Sequence, residues 1–278
     1  YCPDSINAIK QRQESIDVSL TSGQELSAKL LVVAEGGNSA TRSQLNIEST
    51  TEKYEQAAII TNVEVKANAS VQSALHNSNQ SNTAFERFTT SGPIAFLPIA
   101  KEQYSVVWSV KPEQVDETIS LPEEQFIEQL QQAFGYAAGK ILKVSKPSAY
   151  PLTLTKAQTL THDRVVLIGN SAHTIHPIAG QGFNLGLRDV AVLVQQIKQA
   201  ANDNQDIGAF SVLNEFQLLR RQDIERIAGF TDLLVRSFAI EGRPASATRT
   251  LGLMALQRFT SLQQWLAIHF MSSKKFIK

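Results

Sequence analysis

A single cysteine, Cys2, stands among 278 residues, so no internal disulfide and no multi-cysteine zinc or iron–sulfur site can be built. Neither sign of charge is in excess: 26 Lys and Arg balance 26 Asp and Glu. That balance argues against a nucleic-acid binder working through a globally basic surface. No stretch approaches the roughly 18 or more apolar residues that a membrane-spanning helix needs. The chain opens on Tyr1, without the charged and apolar regions of a signal peptide. It reads as a piece cut from something longer, and the lone thiol fits a reducing, cytoplasmic setting.

What is present is globular in character. Hydrophobic residues make up 42% and charged residues 19%, too apolar a mixture for a disordered chain. Ile6–Ile9 and Ile16–Leu20 alternate as half-buried strands do, and a turn at Thr21–Gln24 leads into the apolar run Leu30–Ala34, which reads as a fully buried strand. Strand signals recur at Ala58–Val65, Thr83–Phe88, Ile94–Ile99 and Tyr104–Val110, an antiparallel sheet able to leave one face open. Phe126, Ile127, Leu130, Ala133 and Phe134 share one face of a helix over 122–134, whereas 68–82 is a polar loop or loosely held helix. Beyond the short strand Arg164–Ile168, helices are expected over 184–201, apolar on most faces and so buried, over 214–238, and over the basic tail from Leu251. The division expected is 1–53 with 151–278 as one domain and 54–150 as a second.

The richest stretch runs from Gly169 to Gly186. A strand ends, a Gly-rich loop follows, and a helix opens near Phe183 or Asn184. Glycines allow a flat or anionic ligand close to the backbone, and free N–H groups at the helix start favour negative charge. Gly180, Gly182 and Gly186 are spaced one residue too long for the dinucleotide fingerprint, and no strand leads directly into them. The competing reading is a glycine-packed helix entrance with no ligand. His173 and His176 lack a third ligand nearby, so no metal is expected. Arg188 and Asp189 read as structural ion or hydrogen-bond pairs.

The stretch Gly169-Asn170-Ser171-Ala172-His173, with His176-Pro177-Ile178-Ala179-Gly180-Gln181-Gly182-Phe183-Asn184-Leu185-Gly186, resembles the second flavin motif of the single-component aromatic hydroxylases built on the para-hydroxybenzoate hydroxylase fold. Within them it is most similar to the ubiquinone-biosynthesis hydroxylases. Phe85-Glu86-Arg87-Phe88 with Gly92–Ile99, and Leu31-Val32-Val33-Ala34-Glu35-Gly36-Gly37 through Arg42, resemble further motifs of that group. Two positions depart from it: Asn170 and Glu35 stand where the family has Asp. The resemblance implies an α+β or α/β fold with FAD as cofactor, NAD(P)H as reductant and hydroxylation of a polyprenylated phenol with O₂. It places Pro177, Ala179, Gly180, Gln181 and Gly182 along the isoalloxazine, and the amides of Gly182, Phe183 and Asn184 at its pyrimidine edge. Gly169 lies in the same motif, and Asn170 is placed on the ribityl chain. Glu35, Gly36 and Arg42 fall near the flavin or the reductant entry, and Phe85, Arg87, Phe96 and Trp108 on a sheet over the ring substrate. No catalytic side chain is assigned.

The family opens with a Gly-x-Gly-x-x-Gly unit that is not found in this chain. The expectation is therefore an incomplete remnant: a C-terminal fragment that has lost FAD affinity and is catalytically silent. Two alternatives stand beside it, a hydroxylase of a small aromatic acid, which would need a buried cation, and a non-catalytic module binding protein or lipid. The basic, Trp- and Phe-containing tail could lie on an anionic membrane or simply pack on the domain, so peripheral inner-membrane contact is an open expectation.

Overall fold

The computed structural model describes residues 1–66, 83–240, 250–252, 254–256 and 258–266. The polar stretch 68–82 and the tail beyond 266 lie outside the described residues. The chain divides into two compact units, one of Tyr1–Glu52, Thr153–Thr231 and Leu256–Lys278, the other of Lys53–Leu152 and Asp232–Ala255.

In the first unit, strands β1 (Ile6–Gln11), β2 (Ile16–Leu20) and β3 (Glu25–Ala28) form an antiparallel meander. Strict alternation turns Ile16, Val18 and Leu20 inward, and Gly23, at φ +87°, makes the tight turn before β3. Strand β4 (Leu31–Val33) then pairs in parallel with β12 (Val165–Leu167), whose other side takes β11 (Thr161–His162). All of β12 is buried, but Val32 of β4 is 40% exposed. The fully buried strand expected at Leu30–Ala34 is thus an edge strand, last in the order β11-β12-β4. A short helix α1 (Ala40–Gln44) follows the loop after β4.

Two long helices complete this unit's architecture. Helix α4 (Gln181–Asn202) points Leu185, Arg188, Asp189, Val192 and Gln196 inward and leaves Phe183, Leu187, Val190 and Val194 exposed. The expectation of a helix buried on most faces is corrected: its apolar residues occupy two stripes, and only one is covered. Helix α5 (Phe210–Ala239) buries Leu213, Phe216, Arg220, Ile224 and Ile227 at helical spacing before running on into the second unit. A short helix, α6 (Thr260–Leu266), lies in the tail.

The second unit is built on a sheet. Strands β5 (Ser49–Lys66), β6 (Phe85–Thr89), β7 (Gly92–Ala100), β8 (Gln103–Val110), β9 (Lys140–Val144) and β10 (Ser148–Ala157) join β13 (His173–Thr174) of the first unit's chain segment in seven strands. The order is β13-β10-β5-β8-β7-β6, with β9 on β5. A short helix α2 (Val115–Ile119) leads to α3 (Glu123–Phe134), which covers one face. Glu123 and Glu124 suit α3's positive N-terminal end, and Gly135 at φ +84° stops it. Phe126, Leu130 and Phe134 enter a core with Ile59, Ile94, Phe96, Val106 and Trp108. Phe96 stacks on Phe134 with centroids 3.8 Å apart, and Trp108 meets Phe126 edge-on at 5.8 Å.

Because side chains alternate, the other face of these strands is a different surface. The register sets Ile60 and Ala95 on either side of Val107, and Leu97 beside Ser105. Ile60 and Leu97 are more than a third exposed, and Ala95 and Val107 are half-buried. Gln131 of α3 is buried and makes the link between helix and sheet: its amide donates to the carbonyls of Gly135 (2.6 Å) and Gly139 (3.3 Å) and accepts from Ile141 N–H (2.8 Å).

Candidate functional site

Two loops at the ends of the parallel strands β4 and β12 are tied together in the first unit. After β4, Gly36 takes φ +95°, and its N–H donates to Ser171 Oγ at 3.1 Å, while Ser171 Oγ lies 3.2 Å from Gly36 O. Arg42, itself buried, donates to Ser171 O (2.9 Å) and Gly37 O (3.1 Å). The guanidinium thus rivets the two loops, with a backbone carbonyl from each. Glu35 commits its carboxylate to Ser39 Oγ (2.5 Å), Thr41 N–H (2.6 Å) and Thr41 Oγ1 (3.0 Å), holding the start of α1. Its longer side chain reaches round its own loop.

The second loop leaves β12 at Gly169, φ +58°, and continues through Asn170, whose side chain is exposed, to His173. Gly186 of α4 packs beside this turn: an added Cβ would stand 3.5 Å from Gly169 Cα, an ordinary van der Waals contact. The chain then passes the buried His176 and the half-buried Pro177, and enters α4 through Gly180, in the left-handed region at φ +61°. No side chain caps α4. The N–H of Gln181 donates to Ile178 O, and no side chain supplies a further acceptor at this end, where the helix dipole is positive. Added Cβ atoms at Gly36, Gly169 and Gly180 would meet nothing within 4 Å, and one at Gly182 would meet only Ile175, at 3.8 Å. Backbone left open at three glycines, beside a helix start without a side-chain cap, suits a planar group with anionic character, and a flavin has that chemistry. Phe183 and Asn184 are exposed on the first turn of α4, whereas Gln181 is buried.

His176 is fully buried, and burial lowers its pKa to about 4, so the ring is neutral at neutral pH. His173 is also buried, but its Nε2 lies 2.7 Å from Asp189 Oδ2. Asp189 belongs to a network that sequence reasoning treated only as generic pairing. Arg220 Nε donates to Asp189 Oδ1 and Arg220 Nη1 to Asp223 Oδ2, both at 2.7 Å. Arg188 and Arg226 also donate to Asp223. Burial alone pushes Asp223 up, but Arg220 and Arg188 outweigh it and hold its carboxyl below the usual carboxylate range. Fully buried Arg220 carries no sequence signal beyond its helical spacing from Asp223.

In the second unit, Phe96 and Trp108 lie in the core beneath α3, and half-buried Phe85 packs against the same cluster. Arg87 is paired in register with Ile94, on that same side, and an added Cβ at Gly135 would stand 3.0 Å from its Nη1. The guanidinium therefore lies at the C-terminal end of α3, where a helix favours a cation. The residues of the uncovered face, Ile60, Ala95, Leu97 and Val107, were not singled out from sequence; strict alternation along β7 and β8 is the signal that distinguishes them.

A separate cavity of about 550 Å³ in the first unit is lined by Arg12, His162, Arg164 and Phe210 among others. Its cations are already engaged, Arg12 with Asp17 and Arg164 with Asp206 and the carbonyls of Gln13 and Lys29.

Comparison with known proteins bears on these open glycines. The family model described as FAD binding domain matches residues 5–208. Ubiquinone hydroxylase UbiL of Rhodospirillum rubrum is 34% identical over 273 residues, covering 98% of this chain and 61% of that protein. The human mitochondrial ubiquinone biosynthesis monooxygenase COQ6 is 30% identical over 282 residues, 90% of this chain and 58% of that protein. The chain therefore spans about three fifths of the length of these curated relatives. Among solved structures, p-nitrophenol 4-monooxygenase PnpA from Pseudomonas putida shares the fold with a TM-score of 0.73 at 17% identity, over 96% of this chain and 66% of that one.

These matches correct the expectation that the FAD-binding region is only a remnant in this chain. The FAD-binding region is represented from residue 5 to 208, both motif loops and the α4 start are assembled, and the seven-stranded sheet is formed. The reading of a catalytically silent fragment, which rested on the opening at Tyr1 and the missing glycine fingerprint, is withdrawn. By the match of the family model over residues 5–208, most of its length, the chain belongs to the FAD binding domain family, and it is similar in sequence to the UbiL and COQ6 proteins.

Proposed function

We propose that this chain holds FAD in its first unit and serves the hydroxylation of an electron-rich phenol bearing an apolar, polyprenyl-type substituent, with NAD(P)H and O₂. The observation that carries the reading is the open backbone at Gly36, Gly169 and Gly180 together with a start of α4 that no side chain caps. When bound, FAD supplies two-electron chemistry with a nicotinamide and with O₂, which amino-acid side chains lack. The residues of this chain bind and orient. The positive end of the α4 dipole would favour negative charge on the ring system, Asn170 would offer an exposed amide to the ribityl chain, and Pro177 and Gly180 would shape the backbone beside them. Ala179, Gln181, Gly182, Phe183 and Asn184 belong to the same segment. Arg42, Glu35 and Gly36 fix the partner loop.

The preference for an apolar substituent rests on the second unit. Among the described residues the sheet face opposite α3 presents Ile60, Ala95, Leu97 and Val107 beside Glu86, Asn62 and Ser105, with no cation among these residues, and Arg87 lies on the α3 side. A small aromatic acid would require a buried positive charge to receive its carboxylate. The names of the relatives support the same substrate class. Peripheral contact of the basic C-terminal stretch with an anionic bilayer belongs to this reading as well. Its check is co-sedimentation with anionic liposomes: equal binding with and without the residues after Leu251 removes it.

The central test is titration of the chain with FAD, followed by flavin fluorescence, and then NAD(P)H oxidation with and without a short-chain prenylated phenol. Saturable binding and phenol-stimulated oxidation support the proposal. No uptake of FAD, or stimulation only by aromatic acids, refutes it.

A further inference from the structure

Asp189 has an unusual position relative to these open glycines. One of its oxygens, Oδ2, receives the backbone N–H of Gly169 at 2.8 Å and lies 2.7 Å from Nε2 of His173. It therefore grips both ends of the turn Gly169–His173. Between those ends stand Asn170, exposed, and Ser171, which meets Gly36 and Arg42 of the other loop. The second oxygen, Oδ1, receives Arg220 Nε at 2.7 Å. The Asp189 side chain is 1% exposed and that of Arg220 is fully buried, so neither group has water as a substitute partner.

The two oxygens have separable duties. Pairing with Arg220 neutralises a buried charge and joins α4 to α5, while Oδ2 sets the height and tilt of the turn. A carboxylate oxygen shared between a glycine N–H and an imidazole is acceptor-only, so both donors are held at a fixed point on α4. Gly169, at φ +58°, is in a conformation that needs such holding because its neighbours offer little steric restraint.

We propose that Asp189 is a positioning residue for the cofactor site: through Oδ2 it fixes the turn that presents Asn170 and Ser171, and so sets the affinity for FAD. The assignment rests on the function proposed above. Asp189 acts through the turn and is not given contact with the flavin.

The test compares Asp189→Asn with Asp189→Ala. Both remove one of the two carboxylates that Arg220 meets, leaving it Asp223, and both should lower the melting temperature by a similar amount. Only the amide keeps an acceptor oxygen for Gly169 and His173. The expected result is rescue by the conservative variant: Asp189→Asn binds FAD within about threefold of the unsubstituted chain, and Asp189→Ala binds it at least about tenfold more weakly. Affinity that simply follows the melting temperature in both variants overturns the proposal.

Should either variant fail to fold, hydrogen exchange at the Gly169 amide of the unsubstituted chain decides. Binding and turn closure are reciprocally linked, so saturating FAD should slow that exchange at least about tenfold. Unchanged exchange with FAD bound overturns the assignment. Failure of the unsubstituted chain to bind FAD overturns the proposed function and this assignment together, whereas FAD binding with equal affinity in both variants removes the role of Asp189 alone.

Discussion

His176 provides a stability switch whose size follows from its surroundings. The ring is wholly buried, and burial lowers its pKa from 6.5 to about 4. In the unfolded chain the ring takes up a proton near pH 6.5; in the folded chain it resists until near pH 4. The native state therefore has its full advantage above pH 6.5 and loses it as the pH falls from 6.5 towards 4, below which the loss levels off. Between those two values each tenfold rise in proton activity favours the unfolded chain by about 1.4 kcal/mol, so the loss comes to about 1.4 kcal/mol at pH 5.5 and about 2–3 kcal/mol at pH 4.5. Replacing His176 by Asn retains hydrogen-bonding capacity and removes the titration. Urea unfolding, without added FAD, should be followed at several pH values between 7.5 and 4.5 for both proteins. Carboxylates and the other histidines titrate in both, so the quantity of interest is the difference between the two curves. The gap should change by about 2–3 kcal/mol in favour of the variant on going to pH 4.5. Two curves that stay parallel across that range would show that the ring is not held neutral by burial, and would refute the reasoning.

Three further outcomes are expected. Replacing Gln131 by Leu leaves two glycine carbonyls and the Ile141 N–H without their partner and should cost about 2–3 kcal/mol, read by chemical denaturation; a cost below about 0.5 kcal/mol would mean that water or relaxation replaces the amide. Gly180→Val forces a β-branched residue into φ +61°, should cost about 1–2 kcal/mol, and should weaken FAD binding measured by fluorescence titration; undiminished affinity would remove the α4 start from the binding site. On the sheet, Phe96→Ala should cost about 3–5 kcal/mol in the core, whereas Val107→Ala should cost less and act on the KM for a prenylated phenol; the reverse ordering in melting and kinetic data would exchange the roles of the two faces.

Parts of this fold were open to sequence reasoning because one local rule dominated. Phe126, Leu130 and Phe134 repeat at helical spacing up to Gly135, and α3 ends there. Ile16, Val18 and Leu20 alternate, and β2 is a strand with those residues inside. Other parts depend on partners far away in the chain. Strand β9 carries exposed Lys140 and Lys143 and β10 carries Pro151, and neither reads as a strand in the sequence alone; pairing of β9 with β5 sets its place. On α4 the apolar residues alone suggest burial all round, yet Arg188 and Asp189 are inside while Leu187 and Val190 are outside. A charged pair goes inside only when α5 brings Arg220 and Asp223 to meet it. At the candidate site, the glycines were legible because positive φ is costly for other residues. The engagement of Glu35 with Ser39 and Thr41 was not, since a carboxylate four residues ahead of a serine has many possible targets.

The interlocked Arg188, Asp189, Arg220 and Asp223 constrain how the sequence can drift. Deleting one member strands an ion away from water, a penalty several times that of an ordinary surface change, while exchanging the whole group for well-fitted apolar side chains need cost little. Single steps away from the present arrangement are thus closed and simultaneous ones open. Lineages that keep these four residues are held there by the lack of a gradual exit, even where another interior would be equally stable.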